Sequence, residues 1–396
     1  MTELLHTGEL AQQSASAGVA AREGPGGGAG SAEPGFAAGF RASLPIWLGS
    51  RLVVAVLSFA SSRILGAYSG RGVPNFIRIW DRWDVGLFTK VARDGYLSHK
   101  YPERTEVDFP GLPLLERGLH VIIPNWVATG LVISLIAGAA TSAALWSLAA
   151  GQLPADRFAG HRAVLAMVLF PYAVFLFAGY SEGLFLAGAT CAWLAARQRR
   201  WWLAALCACL ATSSRVIGVA LVVALAVQYL ATERRVRPSA AWLVVPVLPI
   251  VAYLSYLRVR TGHWDAYTRA QSYWQRKTDW PWHDIAHTWN VAHDSAQPSS
   301  FQAFWWAELA SIVVMILLTV ALLRERRWGE AVYVAIVVLI VTSTTYSAAA
   351  ARALLVAFPL YLWLSRHVRT SYVYALLAAP LMAVFVIAFT QGSWVD

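Results

Sequence analysis

Eleven apolar stretches follow one another between residues 44 and 390, and they leave almost no polar sequence from which a soluble domain could be built. Hydrophobic side chains make up 58% of the chain and charged side chains only 14%. This composition is typical of proteins that cross a membrane many times. We therefore predict an all-α polytopic membrane protein with about eleven transmembrane helices. The stretches are residues 44–65, 124–150, 163–179, 183–196, 201–213, 215–231, 240–257, 303–323, 331–348, 352–365 and 371–390.

Several of these stretches are shorter than the ~20 residues that a helix needs for a full crossing. The segments around Ser181 and Ser214 are therefore expected to be bent or re-entrant hairpins. Residues 1–43 differ from the rest, because Ala, Gly, Ser and Pro dominate them and large apolar residues are few. Such a composition predicts a disordered tail, followed by a transmembrane domain over residues 44–396.

Arginines cluster in alternate connections between the stretches, and their side predicts the orientation in the membrane. If the tail is cytoplasmic, the arginine-rich connections near residues 157–162, 197–200, 234–237, 324–327 and 366–369 are cytoplasmic too. The long segments 66–120 and 258–302 then lie outside an integral plasma membrane. The formal net charge of +10 is explained by this bias, so nucleic acid is not an expected partner. The three cysteines lie in apolar runs and predict neither a disulfide framework nor a zinc site.

Two basic residues break the orientation rule, because Arg215 and Arg352 fall in short outer turns. One interpretation is that each extends from a helix end towards the lipid headgroups. The other is that they bind an anion at the outer leaflet, such as a lipid phosphate. The sequence leaves both open.

The densest group of carboxylates and aromatic residues runs from Trp80 to Phe88 and on to Tyr96, after the first stretch. Asp81 and Asp84 are three residues apart in a helix-compatible segment, so a helix would place them on one face. Each is either a helix cap or a catalytic base. The spacing does not decide between them: Asp81 is a reserve candidate for the catalytic base and could equally be an N-cap.

Five motifs in this order resemble the PIG-V-like mannosyltransferases of the GT-C glycosyltransferase superfamily. "RWD" at 82–84 with "DGY" at 94–96 is similar to the family's "RWD…GY" signature, and residues 109–115 are similar to its "FPLYPLL" segment. The chain departs from the family at Arg352, where the frequent "RY" reads Arg-Ala. The other three motifs are residues 170–182, with "YSE" at their end, residues 213–218, and residues 262–276.

The resemblance implies a GT-C type membrane domain whose long extracytoplasmic loop after the first helix carries the active site. It implies an inverting transfer of a hexose, with mannose expected, from a polyprenyl-phosphate donor to a glycolipid, lipoglycan or protein acceptor. It identifies Asp84 as the catalytic carboxylate. The donor-binding residues that it implies are Arg82, Trp83, Tyr96, Tyr180, Glu182, Arg215, Trp274, Arg276 and Arg352. No metal ligands are predicted, and a requirement for a divalent metal stays open.

Some of these residues also have a plain structural interpretation. Glu182 is either a solvated loop charge or a site residue that pairs with Arg215. Trp274 and Arg276 either contact the sugar or isoprenoid or lie in the membrane interface. The carboxylates Glu103, Glu106 and Asp108 are predicted to form a solvated face.

Two other functions stay in view. A multi-span transporter or lipid flippase would also contain charges between its helices, although transporters usually show two similar halves and no internal repeat is visible. His283 and His287, four residues apart on a helix expected to start near Pro281, resemble the zinc-protease motif. Asp284 stands where that motif has a longer Glu, which weakens the match.

Overall fold

A computed structural model describes residues 34–65, 76–100, 104–347 and 349–393, and these residues form sixteen α-helices and no strand. Four short 3-10 helices lie between them, among them Arg78–Trp80, Thr105–Val107 and Ala173–Leu176. The α-helices are α1 (Phe36–Ile64), α2 (Asp84–Asp94), α3 (Gly111–Leu119), α4 (Trp126–Gln152), α5 (Ala159–Val168), α6 (Ser181–Arg197), α7 (Trp201–Thr212), α8 (Gly218–Glu233), α9 (Leu248–Thr261), α10 (Ala266–Tyr273), α11 (Pro281–His293), α12 (Ser299–Arg324), α13 (Trp328–Thr342), α14 (Ala350–Val356), α15 (Pro359–Arg366) and α16 (Val368–Thr390).

Five helical segments are long and apolar enough to cross a membrane. Three shorter apolar helices, α7, α8 and α13, have 10 to 17 residues. The chain is therefore helical, with several segments of membrane-spanning length, as its composition predicts. The five long segments are Phe36–Ile64, Trp126–Gln152, Pro238–Thr261, Phe301–Arg324 and Val368–Thr390.

The structure changes the boundaries of several predicted stretches. The first helix begins at Phe36, so residues 36–43 belong to α1 and not to the tail, because Gly39 and Ser43 are buried. The predicted stretch 163–179 is interrupted, since α5 ends at Val168 and Pro171 follows. Proline has no backbone N–H and disfavours helical backbone in the residue before it. The stretch 352–365 is divided between α14 and α15 for the same reason, at Pro359.

The interior of the molecule is built around α6, which is buried along almost its whole length. At 17 residues this helix is short for a crossing, but it is apolar on all sides and packs against α4 and α7. Burial within the protein therefore accounts for a helix that would be a weak span by length alone. Its first turn carries Ser181 and Glu182 into the interior.

Two close backbone contacts fix the turns that precede α6 and α8. The N–H of Gly111, at the start of α3, donates a 2.7 Å hydrogen bond to the carbonyl of Ser213. A Cβ at Gly111 would lie 2.8 Å from that carbonyl oxygen, so only glycine fits. Gly130 of α4 and Gly179 approach just as closely, because a Cβ on Gly130 would lie 3.0 Å from the Cα of Gly179. These contacts place the turn at 213–215 beside the start of α3 and the turn at 179–182 beside α4.

Candidate functional site

Four charged side chains from distant parts of the chain meet at one place, and we call them the charged cluster. Asp84 begins α2, Glu182 lies in the first turn of α6, Arg215 lies in the turn between α7 and α8, and Arg352 lies in α14. They are joined by direct ion pairs between Arg215 and Glu182, Arg352 and Glu182, and Arg352 and Asp84.

Glu182 is the centre of the cluster. Its side chain is 0% exposed, and its Oε1 atom accepts from Nη1 of Arg215 at 2.5 Å and from Nε of Arg352 at 2.7 Å. Nη2 of Arg352 lies 2.6 Å from the same oxygen. A buried carboxylate needs such partners, because its transfer out of water is otherwise very costly. The predicted pairing of Glu182 with Arg215 is present, and Glu182 is not a solvated loop charge.

Arg352 connects this buried centre to Asp84. Its Nη1 atom donates to Oδ2 of Asp84 at 3.1 Å, while the other side of its guanidinium binds Glu182. The guanidinium carbon lies 4.9 Å from the ring centroid of Phe175 and 5.0 Å from that of Tyr180, within the range of cation–π contact. Arg352 is thus held on every side and fixes the direction of the Asp84 carboxylate.

Asp84 is the accessible member of the cluster. Its side chain is 30% exposed, whereas those of Arg352 and Glu182 are 8% and 0% exposed. Its backbone N–H donates to the hydroxyl of Tyr180 at 3.3 Å. Trp83, directly before it, has φ 51° and ψ −125°, which is strained for a bulky residue. This bend turns the chain into α2 and presents the Asp84 carboxylate at the surface of the cluster.

Arg215 keeps hydrogen-bonding capacity that Arg352 has used. Its Nη1 atom binds Glu182 and donates to the hydroxyl of Ser181 at 3.2 Å, and among the described residues Nε and Nη2 bind nothing. Both guanidinium groups turn inward to Glu182. Of the two, Arg215 is the one with donors left for an anion.

The prediction that Asp81 shares a helical face with Asp84 is wrong. Helix α2 begins at Asp84 and its N-cap residue is Trp83, so Asp81 lies outside the helix and caps nothing there. The positive φ of Trp83 separates the two carboxylates. Asp81 is exposed and lines a different cavity, together with Ile77, Arg78, Asn125 and Val127.

The outer carboxylates after Tyr96 do not form a solvated face. Glu106 is buried, Asp108 is half-buried, and Glu103 lies outside the described residues. The carbonyl of Asp108 accepts from the hydroxyls of Tyr96 at 2.8 Å and Tyr253 at 3.1 Å. The sequence places Asp108 directly before the Phe109-Pro110 motif, but nothing in its spacing reveals this burial.

Three of the other predicted donor-binding residues lie in contacts outside the charged cluster. Trp274 donates from its indole to the carbonyl of Arg104 at 3.2 Å, and the guanidinium of Arg276 lies 5.7 Å from the ring centroid of Tyr346. Arg82 lies against Gly392, just after α16. The structure therefore brings Tyr180 to the charged cluster together with its four members, and places Arg82, Trp274 and Arg276 in other contacts.

Asp284 is not accessible as the catalytic carboxylate of a zinc protease. Helix α11 begins at Pro281 as expected, but Asp284 is buried and accepts a hydrogen bond from the hydroxyl of Ser347. His283 is exposed and contacts Asp279 at 2.9 Å. Within the described ranges, no group of three or more His, Cys, Asp or Glu side chains is arranged to hold a metal ion.

No protein-family model matches this chain, and no curated protein matches it.

Proposed function

We propose that the chain is an inverting glycosyltransferase that moves a hexose, with mannose expected, from a polyprenyl-phosphate donor to an acceptor hydroxyl. The observation that supports this most is the state of Asp84: an accessible carboxylate held in place by the buried pair of Arg352 and Glu182. A catalytic base needs both access to its substrate and a fixed direction. The five motifs shared with PIG-V-like mannosyltransferases agree with this role, as does their order along the chain.

The chemistry requires one base and one anion site. The acceptor oxygen attacks the anomeric carbon while Asp84 takes the hydroxyl proton. The bond between the anomeric carbon and the phosphate oxygen breaks, and the polyprenyl phosphate leaves with the electron pair. Because the attack comes from the face opposite the phosphate, a β-linked donor yields an α-linked product. A phosphate is a good leaving group, so the reaction needs no acid on that side.

The two arginines have different proposed roles. Arg215 binds the donor phosphate with Nε and Nη2, the planar edge that suits a bidentate contact with phosphate oxygens. Arg352 positions Asp84, because its own nitrogens already bind Asp84 and Glu182. Their two positive charges are balanced by Asp84 and Glu182, so the site accepts the donor phosphate without a large excess of either charge.

The proposed enzyme lies in the plasma membrane as a multi-pass protein of GT-C type with about eleven spans and the charged cluster on the outer face. The exposed residue Thr268 is then extracytoplasmic, and the exposed residue Arg235 is cytoplasmic. In a cysteine-free background, an impermeant thiol reagent added to whole cells labels T268C and not R235C. The reverse pattern contradicts this orientation.

The direct test is transfer of radiolabelled sugar from polyprenyl-phosphate mannose in membranes that contain the protein. We expect label to enter a glycolipid, lipoglycan or protein fraction, and Asp84→Asn to lower the rate about 10²- to 10⁴-fold, because an amide cannot accept the proton. Expression and membrane insertion should stay normal, since the substitution is almost isosteric.

The matched control is Asp81→Asn, which changes an exposed carboxylate three residues away and should keep the wild-type rate. Normal turnover in Asp84→Asn together with loss in Asp81→Asn would move the base to Asp81. Absence of any sugar transfer by the wild-type protein, with several polyprenyl-phosphate sugars tested, would reject the glycosyltransferase and favour a transporter or flippase.

A further inference from the structure

Asp108 lies beside the charged cluster on a loop that is fixed from two directions. Its carbonyl accepts hydrogen bonds from Tyr96, which follows α2, and from Tyr253 of α9. The next residue, Phe109, is buried with its ring centroid 5.1 Å from that of Tyr253. Two residues further on, Gly111 is bound to the turn that carries Arg215. The Asp108 side chain therefore has a defined position next to the site.

The carboxyl group of Asp108 is not satisfied by the protein. Its Oδ2 atom is buried and has no hydrogen-bond partner among the described residues. A buried polar atom without a partner costs roughly 1–3 kcal/mol, so such an atom is a candidate for contact with a ligand. No cationic side chain forms an ion pair with Asp108 in the described part of the chain, unlike Asp84 and Glu182.

The surroundings favour the neutral form of this carboxyl. Burial raises the pKa of Asp108 well above its usual range, and the negative charge of Asp84 raises it further. Arg352 and Arg215 act in the opposite direction, and their effect is the smaller one. A neutral carboxyl has an O–H to donate, which an ionised one lacks. The titratable and charged groups that face Asp108 are Asp84, Glu106, Arg215, Arg352 and the phenols of Tyr96, Tyr253 and Tyr267.

The charge balance of the site also favours the neutral form of Asp108. Asp84 and Glu182 already balance Arg215 and Arg352, and the donor phosphodiester brings a further negative charge. An ionised Asp108 would add another negative charge where the phosphate has to bind. A neutral Asp108 adds none.

We propose that Asp108 is a second carboxyl group of the site, and that it binds the hexose by donating its O–H to a sugar oxygen. This inference rests on the proposed glycosyltransferase function. Asp84 and Asp108 then divide two tasks between them, because one accepts the proton of the acceptor hydroxyl and the other holds the sugar. No bond of Asp108 to the sugar forms or breaks in the reaction.

The test is the pH dependence of sugar transfer from polyprenyl-phosphate mannose between pH 5 and pH 9, in the full-length protein. Wild-type turnover should fall on the alkaline side as Asp108 loses its proton. Asp108→Asn carries N–H donors and cannot ionise, so it should stay within about threefold of wild type at pH 6 and lack the alkaline decline. Asp108→Ala has no donor and should raise the donor KM about tenfold or more.

The control variant is Asp265→Asn, which alters an exposed carboxylate directly before α10 that pairs with Arg269. It should keep the wild-type pH profile. An alkaline decline in Asp108→Asn equal to that of wild type would overturn the inference, and so would wild-type kinetics in Asp108→Ala. Both outcomes require an active wild-type enzyme. A wild-type protein that transfers no sugar at any pH would instead reject the proposed function itself.

Discussion

Two of the places where the molecule buries carboxyl groups use opposite means of compensation. In the charged cluster, Glu182 meets the guanidinium groups of Arg215 and Arg352. In a second group, which we call the clamp, Asp284 of α11 binds the hydroxyl of Ser347, and Glu308 of α12 accepts from the backbone N–H of Ala350 at 2.5 Å. The clamp holds the segment that leads into α14.

This difference distinguishes the proposed active site, the charged cluster, from the clamp that supports it. The charged cluster carries paired charges and opens to solvent at Asp84. The clamp is closed, because Asp284 is 0% and Glu308 is 1% exposed. Ala350 precedes Arg352 by two residues, so the clamp positions the helix whose arginine orients Asp84. The charged cluster is thus linked to an accessible carboxylate, whereas the two carboxyl groups of the clamp are not.

The largest expected effect comes from removing the central charge of the cluster. Glu182→Gln leaves the largely buried guanidinium of Arg215 without its counter-ion and removes one of the two carboxylates that pair with Arg352. Breaking a buried ion pair in this way costs about 3–5 kcal/mol. We expect a large fall in Tm in detergent. Asp284→Asn removes no paired charge and keeps an acceptor for Ser347, so its Tm should not fall below that of wild type. Equal Tm changes in the two variants would remove the distinction between cluster and clamp.

An intermediate effect is expected from the two arginines of the cluster. In Arg352→Lys a single ammonium group cannot reach both Glu182 and Asp84, so kcat should fall about 10- to 100-fold with little change in donor KM. In Arg215→Lys the donors proposed for the phosphate are lost, so the donor KM should rise about tenfold. Steady-state kinetics with varied donor distinguishes the two. If Arg352→Lys raised the donor KM and Arg215→Lys lowered kcat, the roles proposed for the two arginines would be exchanged.

The smallest expected effect is a pH dependence of stability that arises from Asp284 in the clamp. Burial raises the pKa of Asp284 to about 7, although the hydrogen bond from Ser347 acts in the opposite direction. An unfolded aspartate has a pKa of ~3.9. Between these values the folded protein binds more protons, so the free energy of unfolding falls as pH rises towards about 7 and then levels off.

Asp284→Asn should lose this dependence, because an amide does not titrate. Its Tm should fall less than that of wild type between pH 5 and pH 8, by about 2 °C or more. Asp265→Asn, which changes an exposed carboxylate directly before α10, serves as the control and should follow wild type. Parallel pH curves for wild type and Asp284→Asn would show that Asp284 titrates normally and that the clamp is not a neutral contact.

Some parts of the site could be predicted from local patterns. The motif around residues 180–182 and the two arginines that break the orientation rule all contribute to the charged cluster, and Glu182 does pair with Arg215. Local patterns did not predict the backbone geometry at Trp83 or the contacts of Asp108 with distant residues. A helical periodicity through Asp81 and Asp84 assumes continuous helix, and the positive φ of Trp83 ends that continuity. Asp108 was assigned to a solvated face because polar neighbours in sequence say nothing about Tyr253, which lies 145 residues away.

The amino-acid sequence alone is sufficient for the helical class and for most helix positions, because each helix satisfies its backbone hydrogen bonds within its own residues and its apolar content is local. The charged cluster depends on packing. Asp84 and Arg352 are 268 residues apart, and their contact requires α2, α6 and α14 to meet at one point. Which carboxylate stays accessible and which is buried follows from that packing, since exposure is a property of the neighbours in space and not of the neighbours along the chain.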